Sequence, residues 1–150
     1  MASEPLAHPG RTISRLARQV ELAAATVELT LSQYRVLGIL GDGHEAASVL
    51  ADKLAVSRPS VTGVVDGLVA RGLVRRDHHG ADRRRIDVGL TDEGRRLLAA
   101  ADAEVERRLT EIAAYAQPEH PVPSLEPWHA ALDALRNARH AERKGAHVGG

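Results

Sequence analysis

The chain contains no cysteine, no phenylalanine, one tryptophan and two tyrosines in 150 residues. Without cysteine there can be no disulfide, no thiolate zinc site and no thiol redox sensor. So few aromatic rings provide no platform for stacking unpaired bases, so any nucleic-acid partner is expected to be a duplex. Excess charge is also missing, because 20 Lys+Arg balance 20 Asp+Glu. No stretch reaches the roughly 18 consecutive apolar residues that a membrane span needs. The opening MASEPLAHPG lacks the apolar run behind a positive flank that marks a secretory signal. These absences lead us to expect a cytoplasmic protein without membrane contact, and the length suits one domain able to bury a core.

What is present is local. Residues 71–85 hold Arg71, Arg75, Arg76, Arg83, Arg84 and Arg85 against Asp77 and Asp82. A neutral total conceals such a basic face, which can still bind phosphates. Immediately before it, Val61, Val64, Val65, Leu68 and Val69 recur at helical spacing, and Gly72 stands where that helix would stop. After it, Ile86, Val88 and Leu90 alternate with Asp87 and Gly89, which predicts a half-buried strand with the first three inward and the other two outward. Residues 57–91 therefore read as a helix delivered into a basic hairpin. The helix suits a major groove and the hairpin the groove beside it.

Around this unit the periodicity predicts helices. A first amphipathic helix spans residues 12–28 through Ile13, Leu16, Val20, Ala23 or Ala24, and Val27, behind a flexible arm at 1–10. Ser32 is a plausible N-cap for a second, carrying Tyr34 and Leu37 and ending at Gly41-Asp42-Gly43. A third covers about residues 47–54, and Ala55-Val56-Ser57 turns the chain into the fourth. There Ser57 is the N-cap and Pro59 occupies the first turn, where a missing N–H costs nothing. Two helices joined by so short a turn form a helix-turn-helix. Its outward residues are Arg58, Pro59, Ser60, Thr62, Gly63 and Asp66, and Arg58 can reach a guanine or a phosphate. Leu73 and Val74 form the first hairpin strand, and the turn contains Gly80. Thr91 caps a long fifth helix whose stripe Leu98, Ala101, Val105, Leu109 and Ile112 needs a partner. Prolines between residues 117 and 127 end it. Trp128, Leu132 and Leu135 then line a terminal helix before a tail at 143–150.

In LSQYRVLGIL, LADKLAVSRPSVTGVVDGLVARGLVRR and DRRRIDVGLTDEG, the chain resembles the MarR family of winged helix-turn-helix regulators, over about residues 12–141. The wing pattern is the most specific part, with Asp82, Arg84, Leu90, Thr91 and Gly94 falling in register. The resemblance implies a mainly α fold with a small β-hairpin wing. A single domain at 11–142 would hold a winged helix-turn-helix at about 31–91 and dimerisation helices at about 11–28 and 91–142. It also implies that Arg84 reaches into the minor groove, that Asp82 supports the wing, and that Arg83 and Arg85 make phosphate contacts or stay solvated. The implied function is a homodimeric, ligand-responsive regulator, usually a repressor, on a palindromic or near-palindromic operator in double-stranded DNA. Relatives bind small, often aromatic or anionic effectors, here placing a pocket near Tyr34 and Leu37. The chain departs from the pattern at Gly63 and Gly67, where many relatives carry a basic residue.

Two other classes remain to be weighed. A winged helix can serve protein contacts alone, since fold does not dictate function. An enzyme would need a nucleophile elbow, a P-loop, a dinucleotide turn or paired carboxylates, and the chain shows none of these, so no catalytic residue and no cofactor is assigned. Eight histidines include no helical H-x-x-x-H pair, and the adjacent His78 and His79 would point apart in a strand, so no metal site is assigned either.

Overall fold

The computed structural model describes residues 8–78, 86–115 and 125–147. Six helices and three short strands follow in the order α1 (Pro9–Ala25), α2 (Leu31–Gly41), β1 (Glu45–Ala46), α3 (Ala47–Leu54), α4 (Arg58–Ala70), β2 (Val74–His78), β3 (Ile86–Leu90), α5 (Asp92–Ala113) and α6 (Glu126–His147). The architecture is mainly α with a small antiparallel sheet, as expected. Some boundaries moved. Pro9, which suits a first helical turn, begins α1 ahead of the anticipated residue 12, and α6 continues through residues 143–147, expected to be tail. The rest of the anticipated arm and tail, and the prolines at 118, 121 and 123, lie outside the described residues.

Capping decides where the helices start. Ser57 and Thr91 cap α4 and α5 through their hydroxyls, accepting from the Ser60 and Gly94 N–H groups. For α2 the cap is Thr30 instead of Ser32. Thr30 accepts from the Gln33 N–H while the Gln33 side chain accepts from the Thr30 N–H, closing a reciprocal box that Ser32, already inside the helix, cannot form.

The core gathers Leu29, Val36, Leu37 and Leu40 with Leu50 and Leu54 of α3. Val61, Val65 and Leu68 of α4 complete it beside Leu73, Val74, Val88, Leu90 and Ala101. Val69, anticipated on the same face of α4, is instead exposed. The sheet order is β1-β3-β2, with Glu45 opposite Val88 and Val74 opposite Leu90. This central position of β3 overrides the expected in-out alternation. Asp87 is only 5% exposed, Gly89 is buried beneath the His44 ring, and Ile86 is exposed at the strand's open end. Two-residue β1 had no readable period, so the sequence anticipated only a two-stranded hairpin.

Apolar side chains left uncovered define the rest of the surface. On α1 Ile13 is 60% exposed and Leu16 is also accessible; on α6 Trp128 and Leu132 are 65% and 64% exposed. None of the helices among the described residues is long and apolar enough to cross a membrane.

Candidate nucleic-acid interface

The helix-turn-helix closes through Ala55, Val56 and Ser57. Ala55 adopts left-handed geometry, which turns the chain sharply out of α3 and lets its N–H bond back to Ala51 and Asp52. Val61, Val65 and Leu68 then hold the inner face of α4 in the core. The opposite face, Arg58, Pro59, Ser60, Thr62 and Gly63, is exposed along the N-terminal half of the helix. Five of the six residues anticipated there are therefore brought together on one accessible surface, and the sixth, Asp66, is exposed a turn further along.

Their hydrogen bonds restrict what each can offer. The Ser60 hydroxyl lies 2.7 Å from the Ser57 hydroxyl, so it is partly committed to the cap. Thr62 donates its hydroxyl back to the Arg58 carbonyl at 3.0 Å, leaving an acceptor oxygen and a methyl group for a partner. Gly63 has open space where a side chain would be, so nothing in the fold demands glycine there. Gly67 is different, since a Cβ on it would lie 3.9 Å from the Gln33 amide. It faces α2 and is only partly exposed.

The basic stretch divides in two. Arg71, Arg75 and Arg76 are engaged within the fold. The Arg71 guanidinium donates to the Glu28 carbonyl at 2.9 Å and to Gln33 Oε1 at 3.3 Å. Arg75 pairs with Asp77 at 2.9 Å and lies 3.3 Å from the His44 ring, and the ring lies 3.3 Å from Asp77. Arg76 forms an ion pair with Asp66 of α4, tying the first wing strand to the helix. Sequence spacing does not reveal this link, because the partners come from different elements. Asp82, Arg83, Arg84 and Arg85 lie outside the described residues, in the segment that joins the paired strand ends His78 and Ile86. His79 lies there as well. Among the described residues no three His, Asp or Glu side chains gather as metal ligands.

The wing is anchored to α5 by close backbone packing. The Thr91 N–H donates to the Leu73 carbonyl at 3.1 Å, and its hydroxyl donates to the Gly72 and Leu73 carbonyls at 2.7 and 3.1 Å. A side chain on residue 94 would collide with the Leu73 carbonyl, so glycine is required where α5 meets the sheet. The Leu90-Thr91 and Gly94 part of the sequence signature thus has a packing explanation.

Of the two residues anticipated to line a ligand pocket, Leu37 is completely enclosed in the core. Tyr34 is half-buried, and its hydroxyl donates to Asp102 Oδ1 of α5 at 2.7 Å. Burial, reinforced by that carboxylate, pushes the phenol well above its usual range. A separate cleft lies between α2 and the helix-turn-helix, lined by Ser32, Arg35, Leu54, Ser60 and Val64 among others.

A family profile described as the MarR family matches residues 28–85. The chain is 40% identical over 75 residues to the transcriptional regulator HosA of Escherichia coli O157:H7, covering 49% of this chain and 56% of HosA. It is 34% identical over 73 residues to the transcriptional repressor YetL of Bacillus subtilis, covering 47% and 44% of the two chains. The chain thus spans about half the length of the curated relatives it matches. Among solved structures, NadR in complex with 4-hydroxyphenylacetate superposes with a TM-score of 0.69 at 26% identity, covering 91% of this chain and 96% of NadR. Taken with the helix-turn-helix, the three-stranded sheet and the Thr91–Gly94 junction, these matches show a winged helix-turn-helix fold that is similar to the MarR family across residues 28–85.

Proposed function

We propose that this protein is a cytoplasmic transcriptional regulator that binds double-stranded DNA as a homodimer and acts as a ligand-responsive repressor on a palindromic or near-palindromic operator. The observation that carries this reading is the exposed face of α4 from Arg58 to Gly63, held against the wing by the Asp66–Arg76 ion pair. A helix so presented fits the major groove. Arg58 would contact phosphate or guanine, while the Thr62 methyl would meet a thymine methyl. Arg84 would enter the adjacent minor groove, with Arg83 and Arg85 on phosphates and Asp82 supporting the turn.

The uncovered apolar residues of α1 and α6 support a dimer. Ile13 and Leu16 on α1 and Trp128, Leu132 and Leu135 on α6 are exposed apolar side chains that a second copy would cover. Two-fold symmetry would then set two α4 helices on successive major grooves, about 34 Å apart.

Regulation by an aromatic anion is in keeping with the 4-hydroxyphenylacetate in the NadR structure. In this chain the effector would enter beside Tyr34, where the Tyr34–Asp102 bond joins α2 of the reading lobe to α5. An effector that preferred a mismatched lobe arrangement by a few kcal/mol would release the operator. Two measurements test the reading. The native mass should be twice the 16.1 kDa of one chain, and duplex binding should weaken steeply with salt. A stable monomer, or no duplex binding at low salt, would refute it.

A further inference from the structure

The three residues that follow the recognition helix touch the roots of both flanking helices. Arg71, the C-cap of α4, holds the exit of α1 through the Glu28 carbonyl and the start of α2 through Gln33. Gly72 and Leu73 hold the entry of α5 by accepting from Thr91. These two joints differ in kind. At α5 the contact is backbone against backbone, and the missing Gly94 side chain lets it close tightly. At α1 it depends on one side chain gripping a strained junction, because Glu28 sits at φ 60°, a left-handed conformation that residues other than glycine rarely adopt. Gln33 reaches this junction past Gly67, whose Cβ position lies 3.9 Å from the Gln33 amide nitrogen.

We propose that residues 71–73 form a clasp that sets the angle between the DNA-reading lobe and the dimerisation helices, with Arg71 as the positioning residue at its adjustable joint. The proposal rests on the dimeric DNA-binding reading above. Rotation of the lobe about Glu28 carries Arg71 and Gln33 together and must break the Arg71–Glu28 hydrogen bond, whereas the α5 joint can act only as a fixed pivot. The clasp therefore holds the two α4 helices of a dimer at one separation. It also passes any displacement of α1 or α2 directly to the end of the recognition helix.

Absence of cysteine makes the test direct. A Ser48→Cys substitution on the exposed surface of α3 gives one spin label per chain, and the label-to-label distance in the full-length dimer reports lobe separation. The parent should give a single narrow distance. Arg71→Met, which keeps the aliphatic stem but removes the donors, should broaden that distance. It should also weaken binding to a fixed palindromic duplex about tenfold if the binding-competent arrangement falls to about a tenth of the population. Glu28→Gly, which frees the junction without touching the guanidinium, should broaden it as well. Narrow, parent-like distances in both variants would overturn the clasp. Absence of any label-to-label distance in the parent would instead overturn the dimer reading on which the clasp depends.

Discussion

Gly94→Ala tests whether the wing is held by backbone contact with α5. A methyl group at 94 would sit inside the van der Waals envelope of the Leu73 carbonyl oxygen and only 3.0 Å from its carbon. Backbone on one side and the first turn of a helix on the other leave no flexible atom to yield. Relief requires parting α5 from Leu73, which gives up the hydrogen bonds donated by the Thr91 N–H and hydroxyl. Two such bonds contribute about 1 to 3 kcal/mol net, and residual overpacking adds about 1 to 3 kcal/mol. Alanine's better helix propensity returns up to about 1 kcal/mol. The expected destabilisation is therefore about 3 kcal/mol. Urea unfolding at matched protein concentration measures it, matching being necessary because the stability of the proposed dimer would depend on concentration. Gly63→Ala is the control, because its added methyl meets nothing and should be neutral or stabilising by up to about 1 kcal/mol. Gly94→Ala within about 0.5 kcal/mol of the parent would refute the packing argument.

Three further outcomes are expected. Gly63→Arg should tighten duplex binding and steepen the salt dependence by about one counterion, because the position is open and exposed; an unchanged salt slope would remove this part of α4 from the DNA surface. Arg84→Ala should weaken operator binding by about 1 to 3 kcal/mol with dimer mass unchanged, and unaltered affinity would remove the wing tip from the mechanism. The raised pKa of Tyr34 means that the folded chain keeps a proton that the unfolded chain releases above the ordinary value of 10.0. That contribution to stability is fully present below about pH 10 and is lost as pH rises toward the folded value, so Tyr34→Phe should lose less stability than the parent between about pH 9 and 11. Equal losses in unfolding curves would contradict the Tyr34–Asp102 contact.

How much of this was legible in the sequence depended on whether the cause was local. Ser57, Pro59 and Thr91 announced two helix starts because capping acts within one turn, and Val61, Val65 and Leu68 showed their buried face through simple periodicity. Thr30 was missed because Ser32 offers the same chemistry two residues later, and only the reciprocal bond with Gln33 separates them. The burial of Asp87 and Gly89 could not be read from alternation, since it follows from β1 and His44 arriving from a distant part of the chain. The exposed α4 residues were legible as a group. What was hidden was the commitment of the neighbouring arginines. Arg71, Arg75 and Arg76 read as free basic charge along the chain, yet each finds a partner in another element or across the sheet. Gly67 likewise looked like a vacancy on the DNA face and instead lies beside the Gln33 amide of α2.

The central claim is that two copies of this chain read double-stranded DNA through α4 and the wing. Selection of bound sequences from a random duplex pool by the full chain tests it most directly. The account predicts enrichment of an inverted repeat whose half-sites are centred about 10 base pairs apart. Recovery of no sequence preference, or of a single unrepeated half-site, would contradict it.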